Sequence, residues 1–228
     1  MKKILSTIGK LLPLIRFRES SKYWEERYRL GGESGDGSRG ANAEYKALVI
    51  NRFIAQHGVH SLIEFGCGDG VQLEMFNASA YIGVDVSQTV IQQCRTRFSG
   101  DAGKRFIPNN DYAGECAELS LSLDVIFHLV EDPVYNTYLD RLFAAAERYV
   151  LIYSTSADLR DTGVPHVRHR DVAADVDSRF SQFERMPEDE AGIPPPVRYD
   201  RGLPTRFFIY KRTEHLHQRS TDHPEPND

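Results

Sequence analysis

The chain has few cysteines, and their spacing does not indicate either a disulfide framework or a zinc site. Three occur in 228 residues, at positions 67, 94 and 116. A reduced, cytoplasmic protein is therefore expected. The sequence also lacks internal repeats and low-complexity tracts, which excludes repeat architectures.

Positive charge is not in excess. The formal net charge is −5, so the basic footprint that nucleic-acid-binding proteins carry is missing, and no nucleic-acid partner is expected. Hydrophobic residues make up 40% and aromatic residues 11% of the chain, which is enough for a packed core. The length fits one domain of ordinary size with a small appendage.

No apolar run is long enough to cross a bilayer. Residues 1–18 mix basic and apolar side chains, Pro13 interrupts the pattern, and a small-residue cleavage site is missing, so a signal peptide is not indicated. Three interpretations stay open. The segment is an amphipathic helix on the anionic inner face of a membrane, a helix packed on the domain or a partner, or a frayed terminus.

Residues 61–70 carry the strongest pattern in the chain. A short apolar strand containing the acidic residue Glu64 is followed by three glycines at alternate positions, 66, 68 and 70, with the small residue Cys67 between the first two. Glycine lets the main chain turn sharply and lets a ligand approach it closely. Residues 71–76 are expected to open a helix whose free N–H groups face that ligand.

A second apolar strand, residues 81–85, ends in Asp85, which Val86 follows. In nucleotide-binding βαβ units, an acid about 20 residues after the glycine turn accepts hydrogen bonds from ribose hydroxyls. The dinucleotide fingerprint G-x-G-x-x-G is not matched, because Val71 occupies its third glycine position.

An acid-x-Gly-x-Gly-x-Gly turn followed by a strand ending in Asp resembles motifs I and II of the class I S-adenosylmethionine (SAM) dependent methyltransferases. The resemblance implies SAM as cofactor and S-adenosylhomocysteine (SAH) as product. The residues it assigns to the cofactor site are Glu64, Gly66, Cys67, Gly68, Gly70, Asp85 and Val86.

Strands and helices alternate along the chain, which predicts a parallel, doubly wound α/β sheet. Helices are expected at residues 42–56, 87–97, 134–149 and 171–180. Strands are expected at residues 62–65, 81–85, 105–108, from 121 onward, and at 149–154, 182–186 and 206–211.

The resemblance refines this expectation to a Rossmann-like sheet of seven strands, mostly parallel with an antiparallel last strand, plus N-terminal cap helices. It assigns residues 41–212 to the methyltransferase domain. Residues 1–40 then form a basic helix, a cap helix and a glycine-rich segment, and residues 213–228 form a disordered polar tail.

Two N-terminal segments are expected to lie near the cofactor. Residues 22–28 have helical spacing, and their aromatic side chains either pack on the domain or cover the cofactor or acceptor; Tyr23 and Trp24 are the candidates for acceptor binding. Residues 31–40 are half glycine and form either a linker or a lid. Their position between two elements that flank the pocket favours the lid.

Residues 121–132 resemble motif IV, a buried strand that opens into the pocket. Transfer of a methyl group to a hydroxyl requires a base, and histidine titrates near neutral pH. His128 is the first candidate, beside Asp124, although an orienting or structural role is equally open. His166 and His169 are the next candidates.

Those two later histidines do not predict a metal site. They could bind metal together if they lay on a helix, but no third ligand is near in the sequence. The chain also departs from metal-dependent sugar O-methyltransferases, because the acidic cluster at the fifth strand is missing.

Residues 109–112 fall where class I methyltransferases place a polar residue against the adenine amino group. Asp111 and Tyr112 are the candidates, and a plain polar loop is the alternative. Arg168 and Arg170 suit a phosphate or carboxylate on the acceptor, unless they belong to a solvated basic loop. Tyr153, in the fifth strand, is assigned to the acceptor side.

Beyond the cofactor motifs, the chain resembles a bacterial subgroup associated with surface-polysaccharide and glycosyltransferase loci. This implies O-methylation of a sugar or glycan, within reach of a membrane-associated glycan-assembly complex. The alternatives are a methyltransferase of a small natural product and a SAM-binding regulatory protein without turnover.

Overall fold

The computed structural model describes residues 17–155, 162–188, 190–193 and 205–213. Its helices are α1 (Ser20–Arg29), α2 (Gly40–His57), α3 (Gln88–Arg97), α4 (Asp132–Ala144) and α5 (Val172–Arg179). Its strands are β1 (Ser61–Phe65), β2 (Ala80–Asp85), β3 (Lys104–Pro108), β4 (Ala117–Leu123), β5 (Ala146–Thr155), β6 (Phe183–Arg185) and β7 (Thr205–Arg212). Short 3₁₀ helices lie at Asp36–Ser38, Gln72–Met75 and Ile126–His128.

The strands form one mixed sheet in the order β3-β2-β1-β4-β5-β7-β6. β7, the last strand in the chain, runs antiparallel to its neighbours β5 and β6, and the other pairs are parallel. The predicted Rossmann-like sheet of seven strands with an antiparallel last strand is confirmed. The strand order reverses between β1 and β4, and ligands of such sheets bind beyond the carboxyl ends of the strands at that point.

Each face of the sheet carries its own hydrophobic core. Leu62 of β1 packs with Ile50 and Phe53 of α2 in the first core, whereas Ile63 and Phe65 belong to the second core. Helices α4 and α5 cover that second face. Successive side chains of a strand point to opposite faces, so the continuous apolar run of β1 supplies both cores.

Single residues, Gly58 and Ser87, define the ends of two helices. Gly58 ends α2 in the left-handed conformation, with φ 59°, and its N–H bonds to the carbonyl of Ile54. Ser87 caps α3, because its hydroxyl accepts a hydrogen bond from the N–H of Val90 at 3.1 Å.

Two expected helices differ from the structure. The helix predicted at 134–149 is α4, which ends at Ala144, and β5 begins at Ala146. The alanine-rich run at this point favours helix, but pairing of Ala146 with Ala117 of β4 draws the chain into the sheet. After the glycine turn, only the 3₁₀ helix Gln72–Met75 forms.

Several sequence-based expectations lie outside the described residues. These include most of the basic segment 1–18 and the polar tail from residue 214 onward. Among the described helices, none is long and apolar enough to span a bilayer. Residues 166–169 are not helical, and the described residues include no group of three His, Cys, Asp or Glu side chains placed to hold a metal ion.

Candidate functional site

A cleft opens where β1, β2 and β4 end. The glycine turn after β1, the N-terminal helix α1, the segment at 34–38 and the residues after β4 surround it. Of the predicted site residues, those that line it are Trp24, Glu64, Gly66, Cys67, Gly68, Asp85, Val86, Asp124 and His128.

The glycine turn forms the floor of the cleft and needs glycine at two positions. Gly66 and Gly68 have φ of 80° and 55°, where side chains are strained. A Cβ on Gly66 would lie 2.4 Å from Val125 Cγ2, and a Cβ on Gly68 would lie 2.3 Å from Ser34 Oγ. Gly70, with φ 71°, faces Phe98 and is not among the residues found to line the cleft.

Asp85 ends β2 beside this turn. Its Oδ2 accepts a hydrogen bond from the N–H of Gly68 at 3.0 Å, and its Oδ1 accepts one from the N–H of Ser87 at 2.9 Å. Burial raises the pKa of Asp85 to about 6. The carboxylate is thus fixed against the turn at the place where a ribose hydroxyl could be bound.

Glu64 lies in β1, shortly before the turn. Its Oε2 accepts a hydrogen bond from the hydroxyl of Tyr81, and burial raises its pKa to about 7, against the lowering effects of that bond and of Lys46. Gln72 also lines the cleft, and its buried Nε2 has no hydrogen-bond partner within the described part of the chain. A buried unpaired donor at this position suits a polar ligand.

The residue that reaches the cleft after β3 is Asn109, two positions before the predicted Asp111. Asn109 accepts a hydrogen bond from Arg141 Nη1 on its side-chain oxygen at 2.8 Å. Asp111 is exposed, and the half-buried ring of Tyr112 packs edge-on against Phe65. Asn109 is the first polar residue after the strand, which is the sequence signal that could have selected it.

Asp124 follows β4 with φ 59°, the only described residue other than glycine with positive φ. Its carboxylate forms an ion pair with the ammonium of Lys46, whose side chain is fully buried. A buried lysine requires such a partner, because an unpaired charge in the interior is strongly unfavourable. Sequence reasoning missed Lys46, since on a helix with apolar neighbours it resembles an ordinary solvent-facing lysine.

His128 lies in the 3₁₀ helix after β4. Its Nδ1 is 3.1 Å from the carbonyl oxygen of His166, and the ring of Trp24 stands edge-on to it at 4.9 Å. His128 is half-buried and lines the cleft; desolvation lowers its pKa to about 4, and the nearby charge of Arg27 also lowers it.

The other predicted acceptor-side residues surround His128 or lie further off. Tyr23 is buried and stacks on His166, with ring centroids 4.4 Å apart. His169 instead bonds to Thr155 Oγ1 through Nδ1 at 2.9 Å. Neither these residues nor His166 is among the described residues that line the cleft.

The two arginines are engaged with an acidic residue at the start of α4. Arg168 Nη1 and Arg170 Nη1 each lie 2.7 Å from Asp132 Oδ1, and Arg170 also donates to the carbonyls of Leu129 and Val130. These bonds hold the segment after β5 against the segment after β4. Tyr153 is buried, and the Lys46 ammonium lies 5.4 Å from the centroid of its ring. The Tyr153 hydroxyl accepts a hydrogen bond from the Thr205 hydroxyl.

The glycine-rich segment docks on the glycine turn through Asp69. Ser34 donates its N–H to Asp69 Oδ2 at 3.1 Å, and Ser34 Oγ accepts the N–H of Asp69 at 3.1 Å. Arg39 forms an ion pair with the same carboxylate at 2.5 Å. Gly37 packs on Asp124, because a Cβ there would lie 2.6 Å from Asp124 Oδ2.

No protein-family model matches this sequence, and no curated protein matches it. Solved structures do match. NodS, an N-methyltransferase from Bradyrhizobium japonicum WM9 in complex with SAH, aligns with a TM-score of 0.63 at 12% identity, covering 86% of this chain and 100% of that one. The chain has the class I methyltransferase fold.

Two further structures share this methyltransferase fold. Magnesium protoporphyrin IX methyltransferase from Synechocystis PCC 6803 with bound SAM aligns with a TM-score of 0.62 at 12% identity, covering 86% of this chain and 99% of that one. A Burkholderia thailandensis 1,6-didemethyltoxoflavin-N1-methyltransferase with bound 1,6-didemethyltoxoflavin and SAH aligns with a TM-score of 0.59 at 16% identity, covering 85% of this chain and 87% of that one.

Proposed function

We propose that this protein is a SAM-dependent methyltransferase that acts on a small-molecule acceptor. The observation that carries the proposal is the hydrogen bond between the glycine turn and Asp85. The N–H of Gly68, whose φ is 55°, donates to the Asp85 carboxylate at 3.0 Å beside the cleft. The donor set fits the cofactor, because Asp85 offers a hydrogen-bond acceptor for ribose hydroxyls and Gln72 offers an unpaired donor. Of the three solved structures named above, one has SAM bound and two have SAH bound.

SAM would supply a methyl group on a sulfonium sulfur for in-line displacement. In this chain, the glycine turn and Asp85 would hold the nucleoside end, and Asn109 lies where a polar side chain can meet the base. Trp24, His128 and Asp124 line the remaining part of the cleft, where an acceptor must lie for alignment with the methyl carbon. Alignment and exclusion of water account for much of the acceleration in such transfers.

For the acceptor, we infer a hydroxyl of a sugar or glycan. The part of the cleft nearest α1 combines the exposed residue Ser21 with the flat ring of Trp24, a combination that suits a polar molecule with an apolar face. Small-molecule acceptors are also what the porphyrin and toxoflavin enzymes act on. A natural-product acceptor with the same polarity is the alternative.

The cofactor assignment is tested by calorimetric titration of SAM and SAH into the wild type, Asp85→Ala and Glu44→Ala. Glu44 is an exposed acid on α2 and serves as the matched control. We expect micromolar binding to the wild type and to the control, and a loss of at least about tenfold in Asp85→Ala. A folded wild type that binds neither compound would refute the proposal.

The acceptor assignment is tested by transfer of labelled methyl from SAM to panels of nucleotide sugars, neutral oligosaccharides and aromatic metabolites. Label incorporated into the saccharides and retained after mild alkali, which cleaves a methyl ester but not a methyl ether, would support methylation of a hydroxyl. Incorporation into the aromatic panel alone would exclude the sugar acceptor while leaving the SAM assignment intact.

A further inference from the structure

We propose that His166 is a positioning residue for His128, and that it acts through its main-chain carbonyl. The carbonyl would hold the proton of His128 on Nδ1 and thereby keep Nε2 free to receive a proton from the acceptor. This inference rests on the proposed function for its chemical meaning, but the arrangement itself can be measured on the protein alone.

The geometry defines the tautomer. A carbonyl oxygen can only accept a hydrogen bond, so the 3.1 Å contact between His166 O and His128 Nδ1 requires the proton on Nδ1. A neutral imidazole carries one N–H, so Nε2 then has a lone pair. The low pKa of His128 keeps the ring neutral at physiological pH. Burial is its main cause and outweighs the hydrogen bond to the His166 carbonyl, which by itself favours the charged form; the nearby His166, Arg27 and His169 lower the pKa further.

The main chain of His128 is fixed independently of the ring. Its N–H donates to the carbonyl of Val125 at 2.8 Å, and its carbonyl accepts a hydrogen bond from Ser20 Oγ at 2.8 Å. Ser20 is itself bonded to Glu131 at the start of α4. With these bonds and the Nδ1 contact in place, Nε2 is the one polar atom of His128 for which the described residues provide no hydrogen bond.

The carbonyl of His166 is held in place by the ring of the same residue. That ring stacks on Tyr23, with centroids 4.4 Å apart, and lies nearly parallel to the ring of His128 at 5.7 Å; the interplanar angles are 16° and 15°. The N–H of Arg168 also bonds to the carbonyl of Phe127 at 2.8 Å. The stack therefore couples α1, the segment after β5 and the segment that carries His128.

The arrangement provides a route for one proton. As the acceptor oxygen forms its bond to the methyl carbon, the C–S electron pair moves to sulfur, and the hydroxyl proton passes to the lone pair on Nε2. The sulfur becomes a neutral thioether and His128 becomes an imidazolium. A weakly basic imidazole is sufficient here, because an oxygen that has gained a methyl group is strongly acidic.

The proposal is tested by NMR of the full chain labelled with ¹⁵N-histidine, without added ligand. Signals of His128 are assigned by their loss in His128→Gln. At pH 7 we expect a protonated Nδ1 and an unprotonated Nε2, with this tautomer in at least about tenfold excess. A predominant proton on Nε2, or a charged ring at this pH, would overturn the proposal.

Variants separate positioning from a general effect on folding. In His166→Phe the carbonyl and a stacking ring remain, so the Nδ1–H tautomer should persist. In His166→Ala the stack is lost, so the tautomer excess should fall several-fold and the His128 pKa should rise toward its ordinary value. His60→Ala is the control, because His60 is exposed just before β1, at the end of the sheet away from the cleft, and it should leave both readouts unchanged.

The alternative, a purely structural His166, predicts lower unfolding free energy in His166→Ala with the His128 tautomer and pKa as in the wild type. This outcome would refute positioning. The proposed function is judged separately by SAM titration of the same samples, so binding without the tautomer, or the tautomer without binding, identifies which of the two is wrong.

Discussion

The ammonium of Lys46, fully buried on α2, forms an ion pair with the carboxylate of Asp124, which follows β4 with a positive φ and lines the cleft. Two energetically unfavourable features therefore meet at Asp124. Its ion-pair partner is a charge buried in the core, and its own backbone has a conformation that residues other than glycine avoid. Such costs concentrate at functional sites, where the surrounding structure maintains them.

Replacing Lys46 by methionine should destabilise the protein by about 3 kcal/mol, because it leaves Asp124 without its partner. The measurement is urea unfolding of Lys46→Met, Asp124→Asn and the double variant. The double variant should be clearly more stable than the sum of the single effects predicts. Lys22→Met, on an exposed face of α1, should show no measurable change, and strict additivity of the Lys46 and Asp124 effects would contradict the pairing.

Alanine at Gly68 should lower the affinity for SAM by at least about tenfold, because the new Cβ meets Ser34 Oγ at 2.3 Å and the backbone conformation disfavours a side chain. Gly58→Ala is a matched control, since its φ is 59° and no atom lies within 4 Å of the added Cβ. The control should lose about 1 kcal/mol of stability and keep its affinity. Equal affinities in both variants would show that the turn is not the binding site.

Glu64 should make the stability of the ligand-free protein depend on pH. Its pKa is about 7 in the folded state, whereas the ordinary value is 4.5. Between pH 4.5 and pH 7 the folded state therefore binds more protons than the unfolded state. Stability contributed by this group is present below pH 4.5 and is lost as the pH rises through 7. The loss should amount to about 3 kcal/mol.

The measurement is urea unfolding at pH 5 and pH 8 for the wild type, Glu64→Gln and the exposed-site control Glu44→Gln. The wild type and the control should lose more stability between the two pH values than Glu64→Gln does. Identical pH dependence in all three proteins would argue against a protonated Glu64 in the folded state.

Alanine at Asp69 should release residues 31–40 from the glycine turn. The Ser34 amide, which donates to Asp69, should exchange its hydrogen about tenfold faster, as expected when one local hydrogen bond and an ion pair are lost. Hydrogen exchange followed by mass spectrometry measures this. Glu33→Ala removes only the more exposed partner of Arg39 and should have little effect.

If the segment is a lid, Asp69→Ala should also accelerate SAM dissociation in stopped-flow experiments. Faster exchange with an unchanged dissociation rate would favour a linker instead. An unchanged exchange rate would show that Asp69 does not hold the segment.

Asn109 and Asp111 make a direct comparison for the adenine end of the site. Asn109→Ala should weaken SAM binding several-fold, because Asn109 lines the cleft, whereas the exposed Asp111→Ala should not. Calorimetric titration measures both, with unfolding curves to separate binding from the loss of the Arg141 contact. The reverse order of effects would restore the assignment made from sequence.

The sequence alone was enough to predict the sheet, the glycine turn after β1 and the acidic residues near the ends of β1 and β2. These are local patterns: apolar runs, alternate glycines, and a carboxylate at a set distance along the chain. Backbone conformation at Gly66 and Gly68, capping by Ser87 and termination at Gly58 also follow from properties of single residues.

Only the tertiary structure decided which polar residues face the cleft. Lys46 is distant from Asp124 in the sequence, yet packing of α2 on the sheet joins them. Arg168 and Arg170 resemble ligand-binding arginines in sequence, but Asp132 engages both. The partner of a charged side chain depends on which segments the fold brings together, and periodicity along one segment carries no information about that.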